Sequence, residues 1–280
     1  MSLTNPWIAV LSAIFLWWFS TGLILWRVRR ADNEGHDAHL WSVLLGLPLL
    51  LAGVVGLNET LNNTSALGAY MAFLSALAVW GWVELAFLSG IIAGPNTQPC
   101  PHGTPLQSRF FRAVGTILWH ELLLIALLAT IAYLSLGAEN NFGLWTFAIL
   151  FFARISAKLN LFFGVPRIHT EFLPRPLAHL ASHFCRAPMN WVFPISITAL
   201  SFASYCWLER AYTATTTGAL IGFTLLSALT LLALLEHWFM VIPLPDQKLW
   251  RWMLPERKPQ LHGKPQPALH TTLKETPHGL

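Results

Sequence analysis

The sequence predicts an all-α polytopic membrane bundle of about seven transmembrane helices, with the N-terminus outside and the C-terminus cytoplasmic. Three observations carry that expectation. The 280 residues are 55% hydrophobic and only 11% charged, where soluble domains carry about a quarter charged residues, and the mean hydropathy is +0.53. Seven apolar stretches are long enough to cross roughly 30 Å of hydrocarbon at about 1.5 Å per helical residue. All of the 17 Lys and Arg residues except Arg210 fall on one side of the topology those stretches define. Because hydrocarbon offers no water to backbone N–H and C=O groups, the spans must be helices.

The first span, about residues 7–26, lacks the basic n-region and small-residue cleavage site of a signal peptide. It runs instead into Arg27, Arg29 and Arg30, so it is expected to stay as a helix. Trp17, Trp18 and Trp26, with Trp250 and Trp252, suit anchors at headgroup depth. The second span covers about 40–57, and the polar connection after it, with Asn58, Glu59, Asn62 and Asn63, suits helix capping. The third, about 67–92, carries Glu84 late and is followed by Arg109 and Arg112. The fourth, about 113–136, carries His120 and Glu121 early, and the fifth, about 143–163, holds Arg154, Lys158 and Asn160.

The longest connection, about 164–190, sets Pro166, Pro174, Pro176 and Pro188 among Arg167, Arg175 and Arg186, which reads as an ordered cap or interfacial segment. The sixth span covers about 191–208, and the seventh, about 217–242, ends near Glu236 and His237. Residues 1–253 thus form one membrane domain. The Pro-, Lys-, Gln- and Thr-rich residues 254–280 predict a disordered cytoplasmic tail. Cytoplasmic loops are enriched in Lys and Arg, which sets the orientation.

The formal charge of +4 restates that bias. No separate basic stripe points to nucleic acid, so the bilayer is the partner the composition requires. No internal repeat of the transporter kind is present. Cys100, Cys185 and Cys206 form no disulfide framework, and the "CPH" and "HFC" loops lack zinc-finger spacing. No P-loop, GxGxxG or GxSxG stands in a supporting context.

The informative constellation lies inside the spans. Glu84, His120, Glu121, Glu236 and His237 all fall toward the basic side, Lys158 and Asn160 at similar depth, Arg154 somewhat deeper, and His169 and Glu171 just below. Unpaired charge within the bilayer is costly, so these side chains are expected to face the bundle interior and pair. Three readings are open. In a structural one, Arg154 and Lys158 neutralise the carboxylates and fix helix packing. In a ligand-binding one, His120 or His237 holds a metallated tetrapyrrole or the cations hold a carboxylate. In a metal reading, Glu84, His120, Glu121, His169, Glu171, Glu236 and His237 supply iron ligands. The adjacent pairs His120–Glu121 and Glu236–His237 differ from the Glu-x-x-His of carboxylate-bridged iron sites. Their side chains diverge by about 100°, so one member of each pair is expected to face a different neighbour.

The blocks "WGWVELAFLSGIIAGP", "LWHELLLI", "ARISAKLNLFFGVP" and "EHWFMVIPLPDQKLWRW" resemble the photosynthetic complex assembly family encoded beside the reaction-centre H subunit, the PuhE-like proteins of purple phototrophs. The resemblance covers nearly the whole membrane domain and brings no catalytic residues with it. It implies a multi-pass factor of the bacterial inner membrane, cytoplasmic or intracytoplasmic. Such a factor assists assembly of the reaction centre and core antenna, and modulates or handles bacteriochlorophyll rather than turning over a substrate. On that expectation His120 and His237 are the axial-ligand candidates, Glu84, Glu121 and Glu236 orient them, and Arg154 and Lys158 balance charge. A membrane metalloenzyme of pigment or quinone biosynthesis, with an iron site, is the alternative.

Overall fold

A computed structural model describes residues 3–243, and these form helices and connections without a strand. The tail expected at 254–280, with Trp250 and Trp252, lies outside the described residues. Eight α-helices run α1 (Pro6–Glu34), α2 (His36–Leu45), α3 (Leu47–Thr60), α4 (Ala66–Leu88), α5 (Leu106–Leu134), α6 (Phe142–Phe163), α7 (Val192–Tyr212) and α8 (Thr217–Phe239). Seven helices are long and apolar enough to cross a membrane, with α2 and α3 counted together as Asp37–Thr60.

That second span is broken at Gly46. Pro48 has no N–H and its ring crowds the preceding turn, so the helix must kink there. The indole of Trp82 on α4 donates to the Val43 carbonyl at 3.1 Å, satisfying an acceptor at the break. α1 runs on to Glu34, past the expected end at 26, so Arg27, Arg29 and Arg30 sit on its last helical turns. At the opposite end of α4, Ser65 caps the helix through Gly68 N, and Asn63 supports Ser65 by accepting from its N–H and hydroxyl. α4 stops at Leu88, short of the expected 92, where the chain turns through Gly90 at φ +76°.

α4 and α8 are the central pair. More than half of each apolar window is buried, against 17% for α1, α5 and the α2–α3 span. Phe73 and Ala69 of α4 interlock with Ile221, Leu225, Leu226 and Leu229 of α8, all with 2% or less exposed. Hydrocarbon gives helices no hydrophobic reason to associate, so contact distance decides. α3 presses its Gly53 and Gly56 onto α4, where any Cβ would fall 2.9 and 2.2 Å from Ser75 atoms.

The expected cap is ordered. It contains two 3-10 helices, Thr170–Phe172 and Arg175–His183, and the buried face of the longer one, Leu177, Leu180 and His183, follows the three-residue period. Asp32, nearly buried near the end of α1, is its clasp. Its carboxylate accepts from Arg175 N at 3.1 Å and lies 3.3 Å from His39 Nε2 and 3.6 Å from Arg29 Nη1. Arg175 Nη1 donates to the Asp32 carbonyl, and Arg29 donates to the carbonyl of Glu171.

Burial holds His179 and His183 of the cap below the ordinary imidazole range. Both bind protons more readily once undocked. Docking is therefore at full strength above about pH 6.5 and weakens as pH falls below it. Hydrogen exchange across 170–185, corrected for intrinsic rate, is expected to be less protected at pH 5.5 than at pH 7.5. Asp32→Ala, which strands the Arg175 N–H, should cost docking roughly 1–3 kcal/mol and speed proteolysis within the cap about tenfold. Unchanged cleavage would remove Asp32 as the clasp.

Candidate functional site

Five of the ionisable residues meet where α4, α5 and α6 converge. On α6, Arg154 and Lys158 are one turn apart on the same face and reach different helices. Arg154 Nη2 donates to Glu84 Oε2 of α4 at 3.2 Å, and Lys158 Nζ pairs with Glu121 Oε1 of α5. His120 stands between the two pairs, fully enclosed. Its Nε2 is 3.8 Å from Glu84 Oε1, and its Nδ1 is 3.2 Å from Glu121 Oε1 and 3.4 Å from Lys158 Nζ. Its ring lies over Phe87 at 4.3 Å. Two cations face two carboxylates, so the layer balances its charge within the bundle. The expected divergence of His120 and Glu121 is not realised, because the Glu121 side chain folds back beside its neighbour's ring.

The other face of α6 is neutral. Ser156 and Asn160 follow Arg154 and Lys158 by two residues, about 200° around the helix, and point toward α7 and α8. The Ser156 hydroxyl lies 2.9 Å from His237 Nε2 and 2.8 Å from Ser196 Oγ. Asn160 Nδ2 donates to Ser196 Oγ at 2.9 Å, and Asn190 Nδ2 donates to Asn160 Oδ1 at 3.1 Å. His237 Nδ1 is 2.8 Å from the Ala233 carbonyl, which can only accept, so Nδ1 carries a proton, and Nε2 stands in hydrogen-bond contact with Ser156 Oγ. Both ring nitrogens of His237 are thereby engaged.

Between α1, α4, α6, α8 and the cap lies a cavity of about 480 Å³. Its apolar wall includes Trp80, Phe87, Phe172, Phe184 and Phe239, and its polar wall includes Glu84, Arg154, Lys158 and Glu236. Although Arg154 sits within the bundle, 42% of its side chain stays accessible, and Glu236 is likewise exposed. Glu236 accepts from the indole of Trp17 at 2.9 Å, and among the described residues it has no cation at ion-pair distance. The Glu236–His237 pair thus diverges as expected, Glu236 to the cavity and His237 to Ser156.

The site therefore departs from its expected composition. His120 and His237 do not line the cavity, so neither presents a ring nitrogen to a ligand there, and Asn160 belongs to the neutral network. His169 does line it, with Nδ1 3.2 Å from Glu171 Oε1. Among the described residues no three His, Cys, Asp or Glu side chains come together as a metal-ligating group. The "CPH" and "HFC" loops do meet, through Cys100 N and Ser182 Oγ at 2.9 Å, without building a ligand set. Trp17, expected at headgroup depth, is a partner of the site through its bond to Glu236. Ser156, Ser196 and Asn190 were missed. The 200° offset of Ser156 and Asn160 from the cations is the signal that separates the two faces.

Fold and site together define a seven-span helical membrane protein with a charge-balanced polar layer and a cavity at its basic end. The chain belongs to the family described as "Protein of unknown function (DUF3623)", whose model matches residues 3–261. It is 62% identical over 253 residues, 90% of this chain and 92% of the relative, to a Rhodobacter capsulatus protein described as "Uncharacterized 30.4 kDa protein in puhA 5'region". No solved structure matches it.

Glu121→Gln leaves Lys158 without its carboxylate, and losing one partner of a buried pair costs roughly 3–5 kcal/mol. The melting temperature in detergent is expected to drop clearly, and Glu121→Gln with Lys158→Met, which removes both charges, should recover most of the loss. No recovery would place the partner of Lys158 elsewhere.

Proposed function

We propose that this chain is an assembly factor for the photosynthetic reaction centre and core light-harvesting complex, resident in the bacterial inner membrane. It acts by holding bacteriochlorophyll or a precursor tetrapyrrole in the cavity, without catalytic turnover. The cavity carries this reading. Its volume falls within the roughly 300–1,000 Å³ of small-molecule sites, and its mostly apolar wall with a few convergent polar groups is the usual composition of such sites.

A tetrapyrrole has two flat apolar faces and a polar edge of carbonyl or carboxyl groups. The rings of Trp80, Phe87, Phe172, Phe184 and Phe239 suit the faces. Arg154, whose guanidinium has five N–H donors and spends one on Glu84 Oε2, suits the edge. His169 replaces His120 and His237 as the imidazole at the cavity wall. A carboxylate beside an imidazole fixes its tautomer, and Glu171 is placed for that. The bound pigment would supply light absorption; the protein's part is to bind, orient and shield it.

The biological setting has separate support. The relative's gene lies in the puhA 5' region, and the sequence blocks resemble proteins encoded beside the reaction-centre H subunit. Reaction-centre or core antenna subunits are the partners this setting implies. The basic residues at that end of the bundle support, by the positive-inside rule, a cytoplasmic side for the cavity and cap.

Protein purified in mild detergent from phototrophically grown membranes is expected to carry tetrapyrrole absorption in stoichiometric amount. Ala157→Trp, which fills the cavity from α6, should strip the pigment, and His120→Gln should leave it bound in whatever folded protein is recovered. Pigment-free protein from such membranes would sink this reading, and stoichiometric iron in its place would favour the metalloenzyme.

A further inference from the structure

We propose a second binding site, for a phosphate group, at the seam between the first turns of α5 and the 3-10 helix Arg175–His183, built by Arg109, Arg112, His179 and His183. It is separate from the cavity and does not rest on the pigment reading.

The four residues come from two elements packed on each other, and His183 feels the charges of His179, Arg112 and Arg109. Their unspent hydrogen-bonding groups point to a ligand. Arg109 Nε, Arg112 Nε, His179 Nε2 and both ring nitrogens of His183 are buried without a hydrogen-bond partner among the described residues. His183 is only 2% exposed, and the Gln98 backbone is beside its ring. Buried polar groups are nearly always satisfied, so a cluster of orphans asks what completes it.

The side chains are held in place by other contacts. Arg109 Nη2 donates to the Phe162 carbonyl at 2.6 Å, and its guanidinium lies 4.4 Å over the Phe162 ring. Arg112 Nη2 reaches the Pro99 carbonyl at 3.4 Å, and the Arg112 carbonyl accepts from Asn96 Nδ2 at 2.9 Å. Ser182, between the two histidines, is fixed to Cys100 N and to the His179 carbonyl. What remains available is the Nε edges of two guanidiniums and two imidazoles.

The chemistry selects the ligand. Each guanidinium carries a fixed positive charge and N–H donors, each neutral imidazole offers one N–H, and no carboxylate pairs with Arg109 or Arg112 among the described residues. Two guanidinium charges without a carboxylate disfavour a cation and favour an oxyanion. Arginine matches phosphate through two parallel N–H donors, and the exposed N-terminal N–H groups of α5 add positive potential on the same side. Basic pockets between membrane helices at the headgroup level bind anionic lipid headgroups. A lipid phosphate and a free phosphate compound share this chemistry.

The test is thermal unfolding of the full chain in uncharged detergent with added phosphatidylglycerol, inorganic phosphate or phosphatidylcholine, alongside native mass spectrometry for retained lipid. A rise in melting temperature with phosphatidylglycerol, and one lipid retained per chain, supports a headgroup site. A rise with millimolar inorganic phosphate alone supports the same site with a soluble source. Arg112→Gln and, separately, His183→Gln should weaken either response about tenfold. No response to either phosphate species, or an equal response to phosphatidylcholine, overturns the proposal, and both readings come from the unmutated protein even where a variant fails to fold.

Discussion

Charge in hydrocarbon must be neutralised within the protein, and α6 is where this chain does it. Arg154 and Lys158 are the cations of the polar layer, and each commits to a carboxylate on a different helix, Glu84 on α4 and Glu121 on α5. The arrangement matters most for α5. Only 17% of its apolar window is buried, so packing alone gives it little hold on the bundle. Glu121 and His120 tie the middle of the helix to α6 and α4, and Leu124 and Ile131 pack the half beyond them. The cavity beside α6 lies at the basic end, while Phe73, Ile221 and Leu225 pack α4 tightly against α8.

The second face of α6 solves the same problem without charge. Asn190 donates to Asn160, Asn160 and Ser156 both donate to Ser196, Ser156 also lies against His237 Nε2, and His237 Nδ1 ends the series on the Ala233 carbonyl. Asn190 also accepts from Val192 N and Phe193 N, which starts α7. The chain joins α6, α7, α8 and the end of the cap, and it spends every polar atom of the His237 ring. A histidine so engaged has both ring nitrogens committed within the bundle. That is why a fully buried histidine near a cavity is not by itself a ligand.

Much of this was legible in the sequence. Span number, the ordered cap and the pairing of intramembrane charges follow from composition, proline placement and the cost of charge in lipid. The neighbours of each side chain did not. His120 and His237 look equivalent by depth, and rotation about their helices separates them; sequence gives depth more readily than which helix stands opposite. The Arg-rich run after residue 26 reads as a membrane boundary, whereas α1 carries those arginines as helix and uses Arg29 to hold the cap. The 200° offset along α6 was available from counting residues, and it sorts Asn160 from Lys158.

The cap links the two sites. Leu180 lines the cavity, and His183, one 3-10 turn further on the same buried face, meets the arginines of α5. Asp32 fixes the start of this short helix to α1, and Ser182 fixes its end to the loop before α5. This nine-residue helix is thus pinned at both ends. Whatever orders it from one side lowers the ordering cost of contact on the other, and such coupling is reciprocal in free energy. A phosphate bound at the α5 seam would therefore tighten the cavity floor, and a ligand filling the cavity would tighten the seam by the same factor, with no contact between the two.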